Sequence, residues 1–75
     1  MTPAQCQAAR ELLGWSRMRL AVQAGVNTGT VDRLEHGRSK PQPHTLAALR
    51  DALEAAGIEF TNGDAPGVQL RKQVG

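Results

Sequence analysis

Apolar residues recur at three- and four-residue intervals as far as Gly57 and at two-residue intervals beyond it, so the pattern predicts helices first and a short hairpin last. In the first segment Cys6, Ala9, Arg10 and Leu13 share one helical face. Thr2 as N-cap, Pro3 at the first helical position and Gln5 within reach of the cap amide mark its start, and Gly14 marks its stop. The stretch from Arg17 to His36, RMRLAVQAGVNTGTVDRLEH, cannot be one straight helix. Its apolar positions, Leu20, Ala24, Val26, Val31 and Leu34, break phase at Gly25, where a residue free to take positive φ can reverse the chain. Asn27 then offers a side-chain oxygen to the amides of a new helix, Ser16 caps the preceding one, and Ala21 stands where the two have to touch. A fourth helix opens with Pro43, turns Leu46, Leu49, Ala52, Leu53 and Ala56 inward, and stops at Gly57. Ile58 and Phe60 next alternate with Glu59 and Thr61, and Val68 and Leu70 alternate with Gln69 and Arg71. Keeping the apolar residues on one face requires Phe60 opposite Val68 and Ile58 opposite Leu70, with residues 62–66 as the loop.

A chain of 75 residues with only two aromatics, Trp15 and Phe60, has to build its core from Leu, Val and Ala, which favours a small helical bundle. Trp15 is placed to cover a seam between helices. Cys6 is the single cysteine, so an intrachain disulfide is impossible; a reducing compartment and a buried, apolar role for the thiol are expected. No apolar run approaches ~18 residues and no basic segment precedes an apolar one near the start, so the expected protein is cytoplasmic, with no membrane-spanning part.

Net charge is only +2, but its distribution is uneven. Between Arg10 and Lys40 six basic residues face three acidic ones, whereas from Arg50 onward three face four. Positive charge thus gathers around the central two-helix unit, as a surface meeting phosphates needs. If Val31, Leu34 and Glu35 face inward, the outer face of the third helix carries Thr28, Gly29, Asp32, Arg33 and His36.

With its capped helices, its glycine corner and the polar loop Gly37-Arg38-Ser39-Lys40-Pro41, the chain from about Thr2 to Leu53 resembles the Cro/phage-repressor (XRE-type) helix-turn-helix family. The resemblance implies a mainly α fold: a compact four-helix, repressor-like helix-turn-helix domain over residues 1–57, followed here by a C-terminal β-hairpin over 58–71 and a frayed tail over 72–75. It implies that side chains at Thr28, Gly29, Asp32 and Arg33 read bases in the major groove. Arg33 is the strongest candidate, because its fork matches O6 and N7 of guanine; Asp32 can accept from a cytosine amine or orient Arg33, and Thr28 can touch a thymine methyl. Gly29 stands where the family usually carries a long polar residue. Ser16, Arg17, Arg19, Arg38 and Lys40 are the expected phosphate contacts, around an exposed helix N-terminus and beside the groove. Family members commonly carry Gln or Glu where this chain has Arg17 and Arg19. The resemblance also implies a structural ion pair between Arg10 and Glu35.

A two-stranded hairpin is marginal alone, so Ile58, Phe60, Val68 and Leu70 have to lie on the helices or on a second copy; they are the dimerisation candidates. The reading is a sequence-specific transcriptional regulator, repressor-like, that binds double-stranded DNA at a palindromic operator as a homodimer. An antitoxin that also binds a toxin protein, or a protein-interaction module on the same fold, are the alternatives. Cys6, His36, His44 and the carboxylates form no grouping of nucleophile, base and orienter and no metal-ligand spacing, so neither an enzyme nor a cofactor or metal is expected.

Overall fold

The computed structural model describes residues 1–38, 41–61 and 67–71. Four helices, α1 (Pro3–Leu13), α2 (Arg17–Ala24), α3 (Thr28–Glu35) and α4 (Pro43–Ala55), precede an antiparallel hairpin of β1 (Ile58–Thr61) and β2 (Gly67–Leu70). Each of the first three helices starts on a side-chain cap. Thr2 and Gln5 close a reciprocal capping box, with the Gln5 amide donating to Thr2 Oγ1 at 3.1 Å and the Thr2 amide to Gln5 Oε1 at 2.9 Å. The Ser16 hydroxyl accepts from the Arg19 amide and the Asn27 side-chain Oδ1 from the Gly29 amide. Between α2 and α3 Gly25 takes φ 70°, and the Val26 amide reaches back to the Ala21 carbonyl at 2.9 Å, so the orphan carbonyls of α2 are satisfied inside the turn.

The core consists of Cys6, Ala9, Leu20, Ala21, Val31, Leu34, Leu49, Leu53 and Ile58. Ala21, almost wholly buried, lets α2 and α3 approach closely, and α2 packs also on α4, α1 on α3. Trp15, Leu13, Val26 and Leu46 close the edges of this cluster.

The hairpin register is Ile58↔Leu70, Glu59↔Gln69, Phe60↔Val68 and Thr61↔Gly67, which puts the four apolar residues on one face. That face lies on the chain's own helices: β2 runs against α1 and β1 against α4. Of the two supports the sequence left open, the helices or a second copy, the helices cover most of this face. Ile58 is 0% exposed and belongs to the helical core, and Phe60 and Val68 pack against it. Of the four dimerisation candidates only Leu70, 51% exposed, still offers substantial surface. Burying Ile58 stabilises this small domain by roughly 1.5–3 kcal/mol, more than an exposed hairpin could supply by itself. The Arg50 guanidinium then covers the outer side of Phe60, 5.2 Å from the ring centroid.

Gln5 ties the two parts together. Buried although polar, it donates from Nε2 to the carbonyls of Thr61 at 3.3 Å and Gly67 at 3.0 Å, the residue pair next to the hairpin loop. A residue expected only to cap α1 therefore also anchors the sheet. The expected loop at 62–66, the frayed tail at 72–75 and Lys40 lie outside the described residues.

Candidate nucleic-acid interface

Burial of Val31 and Leu34 fixes the rotation of α3 about its axis, because residues three apart share a helical face. Thr28, Arg33 and His36 are exposed and Gly29 and Asp32 half-buried, so all five project away from the core. An open groove is lined by Thr28, Gly29 and Asp32 of α3, by Ser16, Arg17 and Met18 at the start of α2, and by Arg10 of α1. Met18 is largely exposed beside the α3 face, a lining residue that no sequence pattern had singled out. Arg19 and Arg38 are exposed; the Arg19 guanidinium lies 5.7 Å from the Trp15 ring centroid, and Arg38 lines a separate cleft with Thr2, Leu34 and Leu46.

Beneath the groove lies a chain of charges that locks α1, α2 and α3 together. The Glu35 carboxylate is 1% exposed. Arg10 grips it with both arms, Nε to Oε2 at 2.9 Å and Nη2 to Oε1 at 3.0 Å, while Arg10 Nη1 donates to the Trp15 carbonyl at 2.9 Å. Bidentate, charge-assisted geometry of this kind is the strongest form of side-chain hydrogen bond. Arg17 Nε adds a donor to Glu35 Oε1 at 3.3 Å, and the Cys6 thiol points at Oε2 from 3.8 Å. Burial by itself acts to raise the Glu35 pKa, but the hydrogen bonds and charges of Arg10 and Arg17 together outweigh it and hold the carboxyl below its ordinary value. The same burial, reinforced by the Glu35 charge, pushes the Cys6 thiol up to about 12.

Arg17 reaches further than its expected phosphate role. Its Nη1 lies 3.4 Å from Asp32 Oδ1, and His36 Nδ1 lies 3.4 Å from the same oxygen. Asp32 thus meets Arg17 and His36 rather than Arg33. Sequence spacing could not reveal this, since Arg17 and Asp32 stand on different helices and meet only once the Gly25 turn has brought α2 and α3 together.

Two short capped helices at a glycine corner, the second held by its inner residues and free along its outer ones, define a helix-turn-helix protein. A family model described as a helix-turn-helix domain matches residues 4–61, and the chain belongs to that family. The assignment agrees with the Cro/phage-repressor resemblance and takes in β1 as well as the four helices. A search of the curated proteins finds no match to the chain. The domain it carries is one associated with DNA-binding regulators.

Proposed function

We propose that the chain is a sequence-specific transcriptional regulator of the repressor type that lays α3 in the major groove of duplex DNA. The observation that supports this most is the outward face of α3: Thr28, Gly29, Asp32 and Arg33 are free of the core while Val31 and Leu34 hold the helix down. A helix of 8 residues is about 12 Å long, matched to the groove it would enter. Ser16, Arg17, Arg19 and Arg38 would supply the donors and positive charge that phosphate positioning requires; Ser16 and Arg17 line the same groove as Thr28, Gly29 and Asp32. Lys40 extends the same set by sequence.

On this reading the regulator acts as a homodimer on a palindromic operator, with half-sites one helical turn, about 34 Å, apart. Leu70 and Leu12, both about half exposed on the neighbouring elements β2 and α1, supply the apolar surface for the second copy. The deciding experiment is selection of bound sites from random DNA with the full chain, followed by binding at two salt concentrations. The expected result is a two-part motif and an affinity that falls steeply with salt. A salt-independent affinity for duplex DNA, or no enriched motif, would overturn the proposal.

A further inference from the structure

Gly29 is the position on the exposed face of α3 that offers no side chain, and the end of Arg33 reaches it. A Cβ built on Gly29 would stand 3.4 Å from Arg33 Nη1 and 3.0 Å from Asn27 Oδ1. The Arg33 guanidinium therefore lies back along the helix, over the glycine. Helical side chains lean toward the N-terminus and cover the turn before their own Cα, so residue i+4 naturally reaches the surface of residue i.

We infer that Gly29 is a specificity-determining residue of the proposed DNA contact, because its missing side chain lets the Arg33 guanidinium occupy the reading position of residue 29. The inference rests on the proposed DNA-binding function and sharpens it. In helix-turn-helix complexes base edges are met by the N-terminal residues of the recognition helix. Arg33 starts about 6 Å behind Gly29 along the helix axis, four residues at the standard rise. Lying over Gly29, its fork reaches the level of the first turn of α3. A long side chain at 29 would fill that space itself and push the guanidinium aside. The base opposite position 29 is thus read by a guanidinium, whose paired donors select guanine through O6 and N7.

The test compares the wild type with Gly29→Ala, Gly29→Leu, Arg33→Ala and the double variant Gly29→Leu/Arg33→Ala. All are taken through random-site selection and competition binding, with helical circular dichroism as the check on folding. Gly29→Ala crowds Asn27 Oδ1 as any Cβ must, yet stops short of displacing Arg33, so it separates damage to the cap from loss of the reading position. Gly29→Ala is expected to keep the preference for guanine at one position. Gly29→Leu is expected to lose it by on the order of 10- to 100-fold, as Arg33→Ala does, with no further loss in the double variant. A guanine preference that disappears in Arg33→Ala but survives Gly29→Leu overturns the inference and leaves the DNA-binding function standing. A wild-type chain that enriches no motif overturns that function, and the inference with it.

Discussion

Replacing Arg10 with Met should cost this domain about 3 kcal/mol, and the loss should shrink in acid. The substitution keeps most of the apolar stem but removes three hydrogen bonds, two to Glu35 at 2.9 and 3.0 Å and one to the Trp15 carbonyl at 2.9 Å. It leaves a carboxylate that is 1% exposed with only Arg17 Nε at 3.3 Å and the Cys6 thiol at 3.8 Å. Removing one partner of a buried pair typically costs ~3–5 kcal/mol; the surviving Arg17 contact puts this case at the lower end. A domain of this length has only about 4–11 kcal/mol in all, so in urea, at a slope of roughly 1 kcal/mol per M, the midpoint should fall by about 3 M. The pH dependence supplies the sharper sign. In the wild type the folded-state pKa of Glu35 lies below its ordinary value, so its contribution is complete above that value and is lost as the pH falls through the folded-state pKa. In Arg10→Met, burial is opposed by Arg17 alone and the pKa should rise above the ordinary value. The variant's folded state then binds a proton more readily than its unfolded state and gains stability as the pH drops from 7 toward 4. Urea midpoints of both proteins at pH 7 and pH 4 should therefore converge. A penalty below about 1 kcal/mol at pH 7, or the same penalty at both pH values, would refute the role given to the pair.

The Cys6 thiol, buried and pushed up to about 12, should react with a thiol reagent at pH 8 only as fast as the domain opens, and at once in denaturant; rapid stoichiometric labelling of the native chain would contradict its placement. Gln5→Ala removes half of the α1 capping box and both donors to the hairpin, so it should cost about 2–3 kcal/mol in urea unfolding and speed amide exchange across β1 and β2. An effect confined to α1 would show that the tie to Thr61 and Gly67 is unimportant. Arg38→Ala, at an exposed position, should leave stability unchanged, weaken binding to all DNA sequences alike and lower the salt slope by about one; an unchanged slope would remove Arg38 from the phosphate surface.

The helices were legible because their signals are local. Caps at Thr2, Ser16 and Asn27, Pro3 and Pro43 at helix starts, and glycines at the C-terminal turns each act within a few residues, and all mark the observed ends. Period-two alternation likewise set the hairpin register, since a slip of one residue would turn Ile58 and Phe60 outward. What alternation cannot say is which surface covers the apolar face, and Ile58 therefore read as available to a second copy when it completes the core under α4. Gln5 was hidden for the same reason. Its capping partner is three residues away, but its hairpin partners are 56 and 62 residues away, and no spacing rule spans such a distance. On the reading face the outward residues followed from the periodicity of α3. The direction in which Arg33 lies, and the attachment of Asp32 to Arg17, depend on side-chain packing that periodicity does not contain.

Arg17 joins the folding of the domain to its proposed work on DNA. Among the described residues the core is built from Cys, Ala, Val, Leu and Ile, with no aromatic side chain wholly inside it to key the relative angle of α1, α2 and α3. The buried charge chain performs that task, with Glu35 on α3 held by Arg10 from α1 and by Arg17 from α2. The two contacts of Arg17 differ in strength. Its Nε faces a carboxylate sealed from water, whereas its Nη1 meets a half-exposed Asp32 at 3.4 Å, a pair worth about 0–1 kcal/mol in solvent. A phosphate oxygen arriving at the start of α2 can take Nη1 from Asp32 at little cost while Nε stays on Glu35, because a guanidinium carries five donors in a fixed fork. On the proposed function, that exchange would leave Asp32 Oδ1 with His36 Nδ1 alone, 3.4 Å away. It follows that Arg17→Ala would mix a folding defect with a binding defect, whereas Arg38→Ala, at an exposed position outside the charge chain, tests the proposed phosphate contact more cleanly.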